Sequence, residues 1–244
     1  MAPQARESFV KPTSMRQFRA ILRKDIAMEL RTKEMLVSMG LYSLLTMLIY
    51  FVALSQAGPD FDVRSIAAGL LWLAFLFTSM LGLNRSLVHE KDQGCLDALL
   101  LAPIDRPVIF FSKAAGNFIF LVIVEALSLP VFAFLFLQGQ EGFPVQFYWM
   151  APSIMLLASA GIAGVGTLLA TMSVNTTGKD FVLTVLFIPL MYPLLLGAVI
   201  ATSAAILGGP DSVTQFWTGM AWVGGYDIVM VLAAYGLYEF VIGA

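Results

Sequence analysis

Six apolar runs, each long enough to cross the hydrocarbon core of a bilayer, dominate this chain of 244 residues; they cover positions 35–55, 66–88, 114–137, 147–172, 181–203 and 220–242. A transmembrane helix takes roughly 20 apolar residues, so six of them leave room only for short connections. The runs are continuous rather than alternating. That excludes a barrel and favours helices, which satisfy every backbone N–H and C=O within their own segment. With 59% hydrophobic and 12% charged residues, the sequence lacks the polar shell of a soluble globule and the polar excess of a disordered chain. The fold class expected is an all-α integral membrane protein with six transmembrane helices. Residues 1–34 read as a cytoplasmic basic tail and amphipathic helix, and 35–244 as the six-helix transmembrane domain. No segment is long and polar enough for a separate soluble domain. Energy or bulk recognition must then come from another chain or from the membrane.

Charge sets the orientation. Eight of the 14 Lys and Arg residues precede position 35; Arg64 follows the first run; Arg85, Lys91, Arg106 and Lys113 follow the second; Lys179 follows the fourth. Alternate sides therefore carry 13 and 1. By the positive-inside rule both termini belong in the cytoplasm, or in the matrix if this is an organelle protein. The N-terminus is polar and basic with no apolar stretch before residue 35, so it does not read as a cleaved signal peptide. Residues 1–14 read as a disordered tail. Beyond them Met15, Phe18, Leu22, Ile26 and Leu30 fall on one helical face with basic residues over most of the rest, the pattern of an amphipathic helix at the inner membrane surface.

Several chemistries are excluded. One cysteine, Cys95, rules out an intramolecular disulfide and any multi-cysteine metal site, and one histidine, His89, rules out every two-histidine motif. No GxxxxGK[ST] is present; the nearest string, Gly178-Lys179-Asp180, lacks the hydroxyl residue and the upstream glycine. No GxSxG occurs either. Catalytic residues, metal ligands and directly bound cofactors are therefore not expected, and nothing points to nucleic acid.

The informative segment lies on the inner side after the second run, His89-Glu90-Lys91-Asp92-Gln93-Gly94-Cys95-Leu96-Asp97-Ala98-Leu99-Leu100-Leu101-Ala102-Pro103. Asp92 can cap a short helix on which Leu96, Leu99 and Leu100 share a face, and Pro103 ends it. Such a helix either fits the groove of a partner or rests on lipid. Within the spans, Glu125 lies mid-run, where an ionised carboxylate costs roughly 2.5–3.5 kcal/mol on insertion scales. It serves a substrate path or makes an interhelical hydrogen bond to a Ser or Thr. Asp227 and Glu239 fall nearer the ends of the sixth run. Ala160 and Gly164, four apart in a small-residue stretch, favour close helix packing. Pro189 and Pro193 interrupt the hydrogen-bond ladder of the fifth span and should kink it.

At this inner loop the sequence resembles a known family. Ile66-Ala67-Ala68-Gly69-Leu70-Leu71-Trp72, then Leu83-Asn84-Arg85 and Glu90, lead to Asp92-Gln93-Gly94-Cys95-Leu96-Asp97-Ala98-Leu99-Leu100-Leu101-Ala102-Pro103 and Lys113. Together with Glu29-Leu30-Arg31 and Ile188-Pro189-Leu190-Met191-Tyr192-Pro193-Leu194-Leu195, these resemble the CcmB family, the permease subunit of the haem-handling ABC complex of cytochrome c maturation. Asn84 and Cys95 depart from the family's more usual Glu and small or hydroxyl residue. The resemblance implies an exporter-type permease fold, a partner ABC ATPase that hydrolyses the ATP, and a haem-handling membrane subunit. It also implies a haem chaperone, two permease copies, and haem as cargo. With it, Glu90, Asp92, Leu96, Asp97, Leu99 and Leu100 become the expected ATPase-docking residues of a coupling helix between spans two and three. The competing readings are a related exporter of lipid, drug or polysaccharide, and a non-transporting assembly scaffold.

Overall fold

The computed structural model of the protein describes residues 13–56, 58, 61–92, 104–137, 144–174 and 179–243, with backbone only for 86–92, 172–174, 179–184 and 238–243. The described residues form seven helices: α1 (Ser14–Thr32), α2 (Glu34–Ser55), α3 (Arg64–Asp92), α4 (Arg106–Phe136), α5 (Phe147–Val174), α6 (Lys179–Leu207) and α7 (Ser212–Gly243). Six of them, α2 to α7, are long and apolar enough to cross a membrane, one for each expected run. The chain is a multi-pass membrane protein.

Local chemistry explains the boundaries. Between α1 and α2 Lys33 takes the left-handed conformation (φ 58°), and its N–H donates to the Glu29 carbonyl at 2.6 Å. Helix α4 starts where Asp105 stands extended at the N-cap and Pro107 occupies the first turn, where a missing N–H has no cost. The turn from α6 to α7 uses Gly208 and Gly209 at φ 68° and 102°, conformations that glycine adopts without a Cβ clash.

Two helices begin earlier than hydropathy indicates. Helix α4 opens at Arg106, eight residues before the apolar run, because Lys113 lies inside it and is neutralised by an ion pair rather than by water. Helix α7 opens at Ser212, eight residues before position 220, because its polar first turns still carry the buried Phe216. Asp227 therefore lies near the middle of its helix, not toward an end. Helices α3 and α4 also take up both ends of the expected inner connection and leave 93–105 between them. At 29 and 31 residues, they extend about 43 and 46 Å, against roughly 30 Å for the hydrocarbon core.

Helix α5 is the hub: α3, α4, α6 and α7 all pack on it. Its span is 83% buried, against 11% for α7 at the rim. Small residues permit this crowding, but not the pair read from the sequence. Ala160 is exposed, and the close approaches use Gly161, which faces Leu194 and Asp227, and Gly166, which faces Leu83. Between α6 and α7 the approach is backbone to backbone: a Cβ on Gly219 would strike the backbone of Gly197 and Ala201. Backbone cannot swing aside as a side-chain tip can. Gly219→Ala is expected to destabilise the purified protein by about 1–3 kcal/mol. Gly69→Ala, with open space around it, should leave the melting temperature unchanged or raise it; thermal denaturation in detergent measures both.

Candidate functional site

The residues expected to dock a partner divide between two regions. Glu90 and Asp92 belong, by their backbone, to the last turn of α3. Leu96, Asp97, Leu99 and Leu100, with the coupling helix expected around them, lie outside the described residues. What is described is the frame on either side: the end of α3, the start of α4, and α1 laid against α4.

The face by which α1 packs differs from the apolar stripe in its sequence. Gln17 and Ile21 are its buried residues, Phe18, Leu22 and Ile26 are half-buried, and Met15 and Leu30 remain more than half exposed. The helix is thus rolled so that one edge of the stripe meets α4 and the other edge is left open beside the exposed Arg16, Arg19 and Arg23. A charge pair accounts for the roll. Lys113 of α4, 5% exposed, donates to Asp25 Oδ2 of α1 at 2.8 Å. Lys24 Nζ stands 3.1 Å from Asp25 Oδ1 as a second ion-pair contact. One turn beyond Asp25, the Glu29 carboxylate accepts the Leu36 N–H at 2.8 Å, satisfying a donor in the first turn of α2 that has no partner within its own helix. In the sequence the basic residues of α1 set its topology, Glu29 entered only within the Glu29-Leu30-Arg31 string, and Asp25 carried no signal of its own. Their four-residue spacing, one helical turn, was the available signal.

Deeper in the bundle the polar groups pair across helices. Asn117 Nδ2 donates to Thr167 Oγ1 at 2.9 Å, joining α4 to α5. Ser159 Oγ of α5 donates to Glu125 Oε2 at 2.6 Å, and Glu125 is 3% exposed. Ser43 and Ser128 share a hydrogen bond of 2.9 Å between α2 and α4. Trp72 Nε1 donates to Thr202 Oγ1 at 2.9 Å between α3 and α6. Not every buried group is paired: Thr78 Oγ1 has no hydrogen-bond partner among the described residues, and neither has either carboxyl oxygen of the buried Asp227, which lies against the bare Cα of Gly161. Ser159 and Gly161 are two residues apart on α5, so Glu125 and Asp227 stand at similar depth on opposite sides of that helix. The structure therefore does not bring them into one cluster.

Pro189 and Pro193 are both exposed, while Phe187, Met191 and Leu194 form the buried face of α6. The helix runs unbroken through both, and Tyr226 Oη donates to the Leu190 carbonyl between them at 2.7 Å. Among the described residues no three His, Cys, Asp or Glu side chains gather as a metal site would require. Among the described residues these side-chain hydrogen bonds join helices to one another.

Comparison with known proteins is consistent across the chain. The family described as CcmB protein matches residues 16–238. Heme exporter protein B of Rhodobacter capsulatus is 27% identical over 73% of this chain and 78% of its own length. Heme exporter protein B of Haemophilus influenzae is 23% identical over 79% and 84%, and that of Escherichia coli K12 is 24% identical over 63% and 68%. The matched region takes in α1 and all six spanning helices, so the chain belongs to the CcmB protein family.

Proposed function

We propose that this chain is the permease subunit of a haem-exporting ABC complex that serves cytochrome c maturation, seated in a bacterial inner membrane with both termini in the cytoplasm. The observation that carries the reading is the family match over residues 16–238, which takes in every spanning helix, together with relatives named as heme exporters. In this reading haem is cargo, not a resident cofactor. The chain has no phosphate-cradling loop, which fits ATP hydrolysis by a separate ATPase. Membership of the family implies the remaining parts: two copies of the permease, a haem-handling membrane subunit and a haem chaperone. Glu90, Asp92, Leu96, Asp97, Leu99 and Leu100 offer an acidic and leucine-rich surface to a groove of the ATPase.

Glu125 acts as an interhelical tie in this proposal. Its hydrogen bond to Ser159 supports that role, as does its separation from Asp227 by the body of α5.

Two measurements test these assignments. Replacing Leu96 and Leu99 together by Asp should abolish co-purification of the ATPase and uncouple its hydrolysis; unchanged co-purification would remove the docking assignment. Ser159→Ala leaves a buried carboxylate without its donor and should destabilise the protein by about 1–3 kcal/mol. Glu125→Gln, which still accepts that hydrogen bond, should keep both the melting temperature and cytochrome c maturation in cells. Loss of maturation at an unchanged melting temperature would instead move Glu125 into the cargo path.

A further inference from the structure

Burying an ion pair is an uneconomical way to hold two helices together. Both charges lose their hydration, and an apolar pair of the same volume serves stability as well or better. What a buried pair supplies is register: one helix can occupy only the position at which the charges meet. Asp25 and Lys113 are such a pair, 11% and 5% exposed at 2.8 Å. Lys113 sits two turns into α4, just beyond Asp105, whose carboxylate accepts Ser14 Oγ at 3.4 Å. Helix α1 is therefore fixed to the first turns of α4 at two heights. Its other end is fixed to α2, because Glu29 takes the Lys33 N–H on its carbonyl and the Leu36 N–H on its carboxylate. Helices α2 and α4 meet again through Ser43 and Ser128, deep within the spans, which closes a triangle of α1, α2 and α4 that reaches from the basic side into the bundle.

We infer that α1 and the first turns of α4 move as one rigid lever, with Asp25 and Lys113 as positioning residues that pass displacement at the start of α4 to the first spanning helix. The inference rests on the docking reading above, since it assumes that the ATPase acts on the chain next to α4. Helix α1 is then a transmission element as well as a membrane-surface anchor. Helix α2 also meets α3 directly, through Arg85 and the Glu34 carbonyl and through Gly82 against Met39, and meets α4 deeper in the bundle; the route through α1 is the one that joins the start of α4 to the start of α2, and it is two side-chain contacts long.

The test uses the complete permease–ATPase complex in lipid nanodiscs, with Cys95→Ser removing the native thiol. Leu22→Cys and Gly116→Cys face each other across the α1–α4 contact, where a Cβ on Gly116 would lie 3.8 Å from Leu22 Cδ1. A short, reducible thiol crosslinker joining them should leave the ATP-dependent change in haem absorption within about twofold of the unlinked complex, because the lever needs no sliding between these helices. Asp25→Asn should still co-purify the ATPase and permit hydrolysis. The haem change per ATP consumed should then fall roughly threefold to thirtyfold, the range for a residue that couples two sites. Asp25→Glu, which keeps the charge that Lys113 and Lys24 both meet, should retain normal coupling. A crosslink that abolishes the output, with recovery on reduction, would overturn the inference, and so would normal coupling in Asp25→Asn. Failure of the wild-type chain to retain the ATPase would instead strike the docking reading itself.

Discussion

Hydrocarbon offers no hydrogen bonds, so a polar side chain carried into it depends on a partner inside the bundle, and where that partner stands on another helix the pair fixes how the two helices stack. Helix α4 shows the constraint most fully. Lys113, Asn117, Glu125 and Ser128 run along it from the charged end inward. Their partners lie on three different helices: Asp25 on α1, Thr167 and Ser159 on α5, and Ser43 on α2. Apolar packing alone would let α4 rotate or slide against its neighbours at little cost, since lipid tails are as apolar as leucine. Four polar ties at four depths do not. The order of helices around α4 follows from which of them carries the complementary group at the right height.

Helix α5 answers a second constraint, that of room. Four neighbours crowd it, and it accommodates them by omitting side chains at Gly161 and Gly166. At Gly161 the omission has a polar consequence. The Asp227 carboxylate enters the space a methyl group would fill, beside a Cα–H that can offer only a weak contact to oxygen. Glu125 and Asp227 are thus chemically alike and placed alike in depth, yet one is tied and the other is not. The difference lies entirely in whether α5 presents a hydroxyl or a hydrogen at the facing position.

Much of this was legible in the sequence, for a physical reason: crossing a membrane requires a property of single segments, and single segments can be read one at a time. The six spans and the amphipathic α1 came from length, apolarity and period. The resemblance to the CcmB family came from strings at the ends of α1, α3 and α4, between α3 and α4, and around the two prolines in the middle of α6. What was not legible depends on two segments at once. Lys113 reads as a loop residue until Asp25 is known to stand beside it, and Asp227 reads as peripheral until α7 is known to begin at Ser212. Ala160 and Gly164 have the spacing of a packing motif, but which side of α5 faces inward is settled by α3, α6 and α7. Glu29 lay within a quoted string, and only the turn at Lys33 gives it a role as the cap of the next helix.

The surplus length of α3 and α4 has a consequence for how a soluble partner meets this protein. Each helix outruns the hydrocarbon by about 13–16 Å, and both charged ends, Ser86 to Asp92 and Arg106 to Lys113, fall on the basic side. Helix α1 lies along the second of these extensions, from Asp105 to Lys113. Leverage favours motion in one direction there: a few degrees of tilt within the bilayer becomes a sweep of ångströms at the ends of α3 and α4, and a push on those ends returns to the membrane as a small, forceful rotation.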